Sequence, residues 1–255
     1  FITIKNINKS VDISLYTEKI MIDIHCHLLY GVDDGAKDKQ ESIEMLKRAK
    51  EQGVDAIILT PHYRHGMFPY RIDEIEYNFS TIKEYANQIG IKLYLGTEYH
   101  VNSEIVENFR KGRCHTLGNT KYILTEYSHD TEFGYIRKMT NEVIANGFIP
   151  VIVHVERYAC MTEDIDNAGE LRNMGAWIQS NADAVLGLEG YRTKKYCKKL
   201  LKNGWCDVIA SDSHGINRRV CNMQKCLAYV GKKFGEAYAD RLFTDNPKKI
   251  IDTIR

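Results

Sequence analysis

Seven short apolar runs recur along the chain, at residues 22–27, 56–62, 92–98, 122–126, 150–154, 176–181 and 207–214. They are rich in Ile, Val and Leu and nearly continuous rather than alternating, the pattern of strands covered on both faces. Amphipathic stretches of helical period lie between them. Five runs follow the same signal, in which an amphipathic stretch ends at Gly53, Gly90, Gly147, Gly175 or Gly204 and the strand begins at once. Glycine just past a helix can take the left-handed conformation that caps it, so each marks a helix-to-strand junction. The first helix follows these rules closely. Asp38 is an N-cap with Glu41 three residues on, a capping-box pattern; Ile43, Leu46 and Ala49 share one face; Gly53 ends the helix. Stretches 133–146 and 194–203 repeat the arrangement, and beyond Arg219 the chain reads as two or three helices with Pro247 near the start of the last.

Strands alternating with helices predict parallel pairing through right-handed crossovers. An open doubly wound sheet and a closed barrel both satisfy that pattern. An open sheet gathers its ligands at the one crevice where strand order reverses. Here every run ends in a group able to hold a metal or a phosphate: His25-Cys26-His27, His62, Glu98, Glu126, His154, Asn181 and Asp212-Ser213-His214. A closed barrel brings all its C-terminal strand ends to one face, so a barrel is the expected architecture.

The 255 residues suffice for one such domain, with 44% apolar and 27% charged residues, as in ordinary soluble proteins. A formal net charge of +1 gives no support to nucleic acid or membrane binding. Seven Cys without a C-x-x-C favour reduced thiols in a cytoplasm over a disulfide framework. No run of eighteen apolar residues predicts a membrane-spanning helix. Residues 1–20 are polar and read as an extension outside the fold, natural or added, with the single domain occupying residues 21–255 and Met21 placed as a natural start.

His25 and His27 stand two apart on a strand and point to one face, with Cys26 on the other. In Val32-Asp33-Asp34-Gly35 an Asp-Gly turn is sufficient by itself, and one of the two carboxylates can also curl back to the site. Asp212-x-His214 mirrors His25-x-His27, and His154 ends a strand of Val and Ile, with Arg157 three residues on. Singly these signals are modest; their coincidence at strand ends decides for a multinuclear metal site. His and carboxylate ligands without thiolate suit Mn, Fe or Zn in a hydrolytic site, and shared carboxylates can bridge ions about 3.5–4 Å apart. His65, His100, His115 and His129 read as surface residues, with His65 near enough to reach the pocket. The basic run 192–199 reads as a solvated helix face, or alternatively as a dock for an acidic or phosphorylated tail.

Ile22-Asp23-Ile24-His25-Cys26-His27, Val32-Asp33-Asp34-Gly35, Gly66-Met67-Phe68, His154-Val155-Glu156-Arg157-Tyr158, Ser211-Asp212-Ser213-His214 and Asp245-Asn246-Pro247 together resemble the PHP (polymerase and histidinol phosphatase) superfamily. Within it they look most like the bacterial CpsB/YwqE-type tyrosine-protein phosphatases. The resemblance runs from Met21 nearly to the C-terminus. It implies an α/β fold, a distorted seven-stranded TIM-like barrel, with three divalent metal ions, commonly manganese. One ion would be held by His25, His27, Glu98 and Asp212, a second by Glu98, Glu126 and His154, and a third by Asp34, His62 and His214. Arg157 and Arg219 would bind phosphate. The family's usual Gly-Arg-Pro segment is replaced here by Asn217-Arg218-Arg219-Val220, which leaves the choice of arginine open. The implied activity is phosphotyrosine hydrolysis in the cytoplasm, with Asp212 or His214 relaying a proton. The implied partner is a phosphorylated tyrosine autokinase that regulates capsule or exopolysaccharide synthesis.

A small-molecule phosphoesterase such as histidinol-phosphate phosphatase would use the same ligands and is the alternative. A thiol phosphatase needs Arg six residues after Cys, and none of the seven Cys has one. A nuclease lacks a basic surface or nucleic-acid module. A degenerate barrel acting only as a scaffold would not keep the full ligand set.

Overall fold

The computed structural model describes residues 20–253, so residues 1–19 of the expected extension lie outside it. Nine strands and eleven α-helices follow in order: β1 (Met21–Cys26), α1 (Lys39–Glu51), β2 (Val54–Leu59), β3 (His62–Tyr63), α2 (Ile72–Gln88), β4 (Lys92–Leu95), β5 (Glu98–His100), α3 (Ile105–Arg110), β6 (Tyr122–Glu126), α4 (Phe133–Ala145), β7 (Ile149–Ile152), α5 (Ala159–Glu163), α6 (Asp166–Asn173), β8 (Trp177–Asn181), α7 (Ala182–Leu186), α8 (Tyr191–Lys202), β9 (Val208–Ala210), α9 (Met223–Phe234), α10 (Glu236–Asp240) and α11 (Asn246–Ile251). All pairings are parallel, in two curled sheets of order β1-β2-β4 and β3-β5-β6-β7-β8-β9.

Two expected strands are each broken in two. Pro61 has no N–H to continue a ladder, so run 56–62 divides into β2 and β3. Its neighbour divides at Gly96-Thr97 into β4 and β5, and bonds across the gap keep the breaks in step: Gly96 N–H donates to Leu59 O (2.8 Å) and Glu98 N–H to Pro61 O (3.2 Å). The last run is a strand only over Val208–Ala210. Beyond it a bridge joins Cys26 to Ser213, His27 N–H donates to Ser213 O (2.9 Å), and Asp212 N–H donates to His25 O (2.9 Å). These bonds bring the end of the second sheet back to β1.

Side chains sort by alternation into two layers. Ile22, Ile24, Ala56, Ile58, Tyr122, Leu124, Val151, Val153, Val208 and Ala210 pack together inside the curl, with Leu117 and Ile250 among them. Gly96 also faces inward; a Cβ there would stand 2.7 Å from Leu117 Cδ2, so the interior is already full. The larger apolar layer lies between strands and helices. The five junction glycines all take positive φ, from 67° to 109°. Asp38 caps α1 by accepting from Glu41 N–H (2.9 Å), but the return bond of the box goes one residue further out, from Lys37 N–H to Glu41 (3.0 Å). On α8, Arg192, Lys195, Lys198 and Lys199 are exposed, whereas Lys194 donates to Leu186 O.

β1 carries a bulge that strict alternation does not predict. Asp23 pairs with Ile57 and Cys26 with Leu59, so β1 spends one residue more than β2 over this step. Ile22 and Ile24 therefore face the interior, and His25 and His27 face it too. Bulges re-aim side chains in this way beside sites. Asp23 holds the bulge: its buried Oδ1 accepts from His25 N–H (3.3 Å) and, across the closure, from Ser211 N–H (2.9 Å). Asp23→Ala should cost about 2–3 kcal/mol in a urea titration, because it strands buried N–H groups, and Asp23→Asn should recover part of that. Equal stability of the Ala variant and the parent would show that the clasp contributes nothing.

Candidate metal centre

The polar layer begins where the apolar interior ends. Alternation carries Tyr122 and Leu124 to Glu126, and Val208 and Ala210 to Asp212, all inward. His154 breaks the rule, since Val151 and Val153 already occupy the inner face. Its left-handed backbone (φ 32°, ψ 52°) turns the imidazole back in, where Nε2 lies 2.9 Å from Glu98 Oε1. Four non-glycine residues have positive φ among those described, and three of them are His154, Asp212 and Arg219. Such strain concentrates at functional sites.

Glu98 is the hub. Its Oε2 lies 3.2 Å from His25 Nε2, 3.0 Å from His27 Nε2 and 3.1 Å from His62 Nδ1. Asp212 Oδ1 is 3.4 Å from His25 Nε2 and 3.5 Å from His214 Nδ1. Asp34 Oδ1 is 3.5 Å from both His62 Nε2 and His214 Nε2, so Asp34 is the carboxylate that curls back. Glu126 Oε2 stands 3.8 Å from His62 Nδ1. All nine candidate ligands thus meet at one end of the sheet. Their donor atoms form three groups within coordination reach: His27, Asp34, His62 and His214; His25, His27 and Asp212; His62, Glu98 and Glu126. These groups overlap the three sets implied by resemblance without reproducing them, since His27 and His62 each serve two groups and His154 reaches only Glu98.

Three histidines are fixed from behind. His25 Nδ1 donates to Gln179 Oε1 (3.1 Å), His27 Nδ1 to Asp33 Oδ2 (2.9 Å) and His214 Nδ1 to the Asp212 carbonyl (2.9 Å). In the neutral ring each bond consumes the one proton, which turns the Nε2 lone pair toward its neighbours in the cluster. That is the outer arrangement of a metal-binding imidazole. Glu98 Oε2, Glu126 Oε2, Asp212 Oδ1, His62 Nδ1 and His214 Nε2 are buried without a hydrogen-bond partner. Buried polar atoms seldom go unsatisfied, and cations would satisfy these.

The sequence profile of the capsular polysaccharide synthesis CpsB/CapC family matches residues 21–252. The chain belongs to the CpsB/CapC family. It is 34% identical to tyrosine-protein phosphatase CpsB of Streptococcus pneumoniae over 91% of this chain and 98% of that protein. It is 33% identical to tyrosine-protein phosphatase YwqE of Bacillus subtilis over 91% of each. Among solved structures, a chain from the crystal structures of YwqE from Bacillus subtilis and CpsB from Streptococcus pneumoniae, described as unique metal-dependent tyrosine phosphatases, superposes with a TM-score of 0.80 at 29% identity over 92% of this chain and 92% of that one. The phosphotriesterase homology protein of Escherichia coli shares the fold at 13% identity, with a TM-score of 0.59 over 91% of this chain and 98% of that one.

Without a cation the carboxylates of this CpsB/CapC chain draw protons onto two of the imidazoles: burial lowers both, but Glu98 and Asp212 raise His25, and Asp33 and Glu98 raise His27 well above its ordinary value. Burial would raise the Glu98 pKa, but His25 and His62 overcome it and hold the carboxyl well below its usual range. Burial and then the Glu98 charge push Glu126 up to about 8. Burial brings His62 down to about 4 against the pull of Glu98. Asp212 resists its burial through His25, Arg219, Arg157 and His214 and stays ionised. Glu98 and Glu126, buried this close, cannot both ionise unaided, and a divalent ion held by both would remove the conflict.

Both candidate arginines converge on Asp212 Oδ2, with Arg157 at 3.0 Å and Arg219 at 2.5 Å, and Asn181 Nδ2 donates to the same oxygen (2.7 Å). Arg219, not Arg218, is therefore the residue of the 217–220 segment that reaches the cluster. Arg64 lines, with Arg157 and Arg219, a cavity that opens over the cluster; it lies 3.8 Å from Glu126 Oε1 and went unnoticed in the sequence, as did Asp33 as a prop for His27 and Gln179 as a prop for His25. Gln179 had a faint signal: Gln179 and Asn181 are polar at alternate positions of a buried strand. His65 and His129 are exposed, as expected of surface residues, and His65 does not line this cavity. His100 and His115 are instead half-buried, paired with Ser128 and with Tyr70 and Glu76, because the polar groups around them accept their rings. Asp33→Asn should weaken Mn²⁺ binding about 10–100-fold in a chelator competition, with the far-UV spectrum unchanged. An unaltered affinity would remove Asp33 from the site.

Proposed function

We propose that this chain is a metal-dependent protein-tyrosine phosphatase that acts in the cytoplasm on a phosphorylated tyrosine autokinase controlling capsule or exopolysaccharide synthesis. The observation that carries the reading is the convergence of three bare imidazole Nε2 atoms with Asp34, Glu98, Glu126 and Asp212 beneath a cavity that three arginines also line. Relatives named as tyrosine-protein phosphatases at 32–34% identity support the substrate class. Seven unpaired Cys agree with a reducing compartment. In this reading the strands count as seven staves of a distorted barrel, with β2–β3 and β4–β5 each one interrupted stave. The domain occupies residues 21–255.

Three divalent ions, manganese by preference, would be held by His25, His27, Glu98 and Asp212; by Glu98, Glu126 and His154; and by Asp34, His62 and His214. When bound, such ions supply the charge that lowers the pKa of a water and neutralises phosphoryl oxygens. The chain supplies the rest. Arg157 and Arg219 hold the phosphoryl oxygens and stabilise the charge that builds on them during transfer. Asp212 Oδ2 anchors both guanidinium groups, which sets their spacing before substrate arrives. His214 donates its Nδ1–H to the Asp212 carbonyl, so its Nε2 offers a lone pair as a ligand and carries no proton for the leaving group. A phenolate leaves readily and needs little help from an acid.

Metal-stripped protein should hydrolyse a phosphotyrosine peptide only after Mn²⁺ is restored, with histidinol phosphate turned over far more slowly in parallel. The reverse preference would move the enzyme to small-molecule metabolism. His154→Ala should lose a metal equivalent and lower kcat/KM by at least about a hundredfold, beyond the loss typical of an outer partner. Full turnover with normal metal content would sink the ligand assignment.

A further inference from the structure

A cavity of about 140 Å³ opens over the ligands, and its lining is ionisable except at two positions, Met67 and Phe68. Met67 is 58% exposed, and of the large apolar side chains left exposed among the described residues it is the one that lines this cavity. Phe68 lies parallel to the His62 ring, with centroids 5.1 Å apart and planes 8° off. The loop that carries them is built, not loose. Met67 N–H and Phe68 N–H both donate to Arg64 O at 3.1 Å, and Gly66 takes φ 79° to make the turn. At its far end the Tyr70 hydroxyl bonds Thr97 Oγ1 (2.7 Å) and His115 Nδ1 (3.2 Å).

We propose that Met67 and Phe68 form the wall against which the leaving group lies, and that this wall selects aryl over alkyl phosphomonoesters. The proposal rests on the phosphatase reading and adds what sets its substrate class. A phosphoryl dianion takes the arginines and the ligand floor, so the ester oxygen and all beyond it must pass the mouth. The apolar surface there is these two side chains. An aromatic ring gains burial and ring contact against Phe68 and a thioether contact against Met67. A short polar alkyl chain gains neither. Phe68 is placed to do this because His62, itself held 3.1 Å from Glu98, fixes the plane of its ring. Specificity would then come from a loop outside the ligand set.

The test uses Mn²⁺-loaded protein and two phosphonates that cannot be hydrolysed, with affinities read by calorimetry. Met67→Ala and Phe68→Ala should each weaken phenylphosphonate roughly five- to tenfold and leave methylphosphonate within about twofold. The kcat/KM ratio of phenyl phosphate to glycerol 3-phosphate should fall by a similar factor. Equal losses on both phosphonates would mean that Phe68 merely supports His62, and no loss on either would mean that the leaving group lies elsewhere; each overturns the wall. Met67 is exposed, and the ring stacked on His62 is that of Phe68, so the Met67 variant tests the wall apart from the support of His62. A parent protein that prefers phenylphosphonate yet hydrolyses neither ester would sustain the wall and refute the phosphatase reading.

Discussion

The Glu98 carboxylate is 1% exposed and has four imidazoles against it. Burial removes it from bulk solvent, and no backbone N–H of the described residues reaches its Oε2. A buried charge faced by imidazole lone pairs is stable only where a cation shared with them offsets the hydration it has lost. Much of the upper half of the molecule is organised to that end. β1 bulges to turn His25 and His27 inward. β2 breaks at Pro61 so that His62 can restart a strand beside Glu98. The β4–β5 break at Gly96-Thr97 brings Glu98 itself to the inner face. The regular ladder ends where this cluster begins.

The lower half could be read along the chain because the forces that shape it act locally. Strands covered on both faces demand continuous apolar runs, and a helix that must stop and turn demands glycine with positive φ. The run Tyr122–Glu126 is a strand over its whole length, and all five junction glycines turn as expected. The convergence of the nine candidate ligands was also legible, because histidine and carboxylate at successive strand ends are rare by chance. What escaped was set at long range. The bulge depends on Asp23 reaching Ser211, 188 residues away. Gln179 props His25 from 154 residues off, and Asp33 looks like any other half of an Asp-Gly turn. Nothing in the residue type distinguishes Arg64 from a surface arginine; only the curl of the sheet brings it over Glu126.

Support of the ligands is shared rather than private. Gln179 Oε1 takes the His25 ring proton and the His154 backbone N–H, and its amide donates to Asn181, which in turn donates to Asp212. Asp33 takes the His27 ring proton while also accepting from the backbone of His62 and of Gly35. Gly35 has no substitute there, since a Cβ would fall 1.9 Å from the His27 carbonyl oxygen. Five of the nine candidate ligands therefore hang on two buried polar side chains and one relay. Such networks are either fully satisfied or costly, which makes the geometry of the cluster a property of the network and not of each ligand separately.

The same reasoning explains where the backbone strain sits. His154, Asp212 and Arg219 are held in the left-handed region by bonds that close around them: Arg157 N–H to His154 O, Asp212 N–H to His25 O, and His214 N–H to Arg219 O. Each strained residue costs on the order of 1–3 kcal/mol and persists only where its surroundings over-determine it. One of these bonds spans the closure of the sheet onto β1, one closes the loop between His214 and Arg219, and one makes the turn that carries Arg157. Relaxing Asp212 would require opening the closure and surrendering the alignment of both arginines on its carboxylate. The fold thus couples its own closure to the posture of Arg157 and Arg219. Divalent ions that bind the folded arrangement and not the unfolded chain would tighten both at once, since whatever binds only the native state stabilises it.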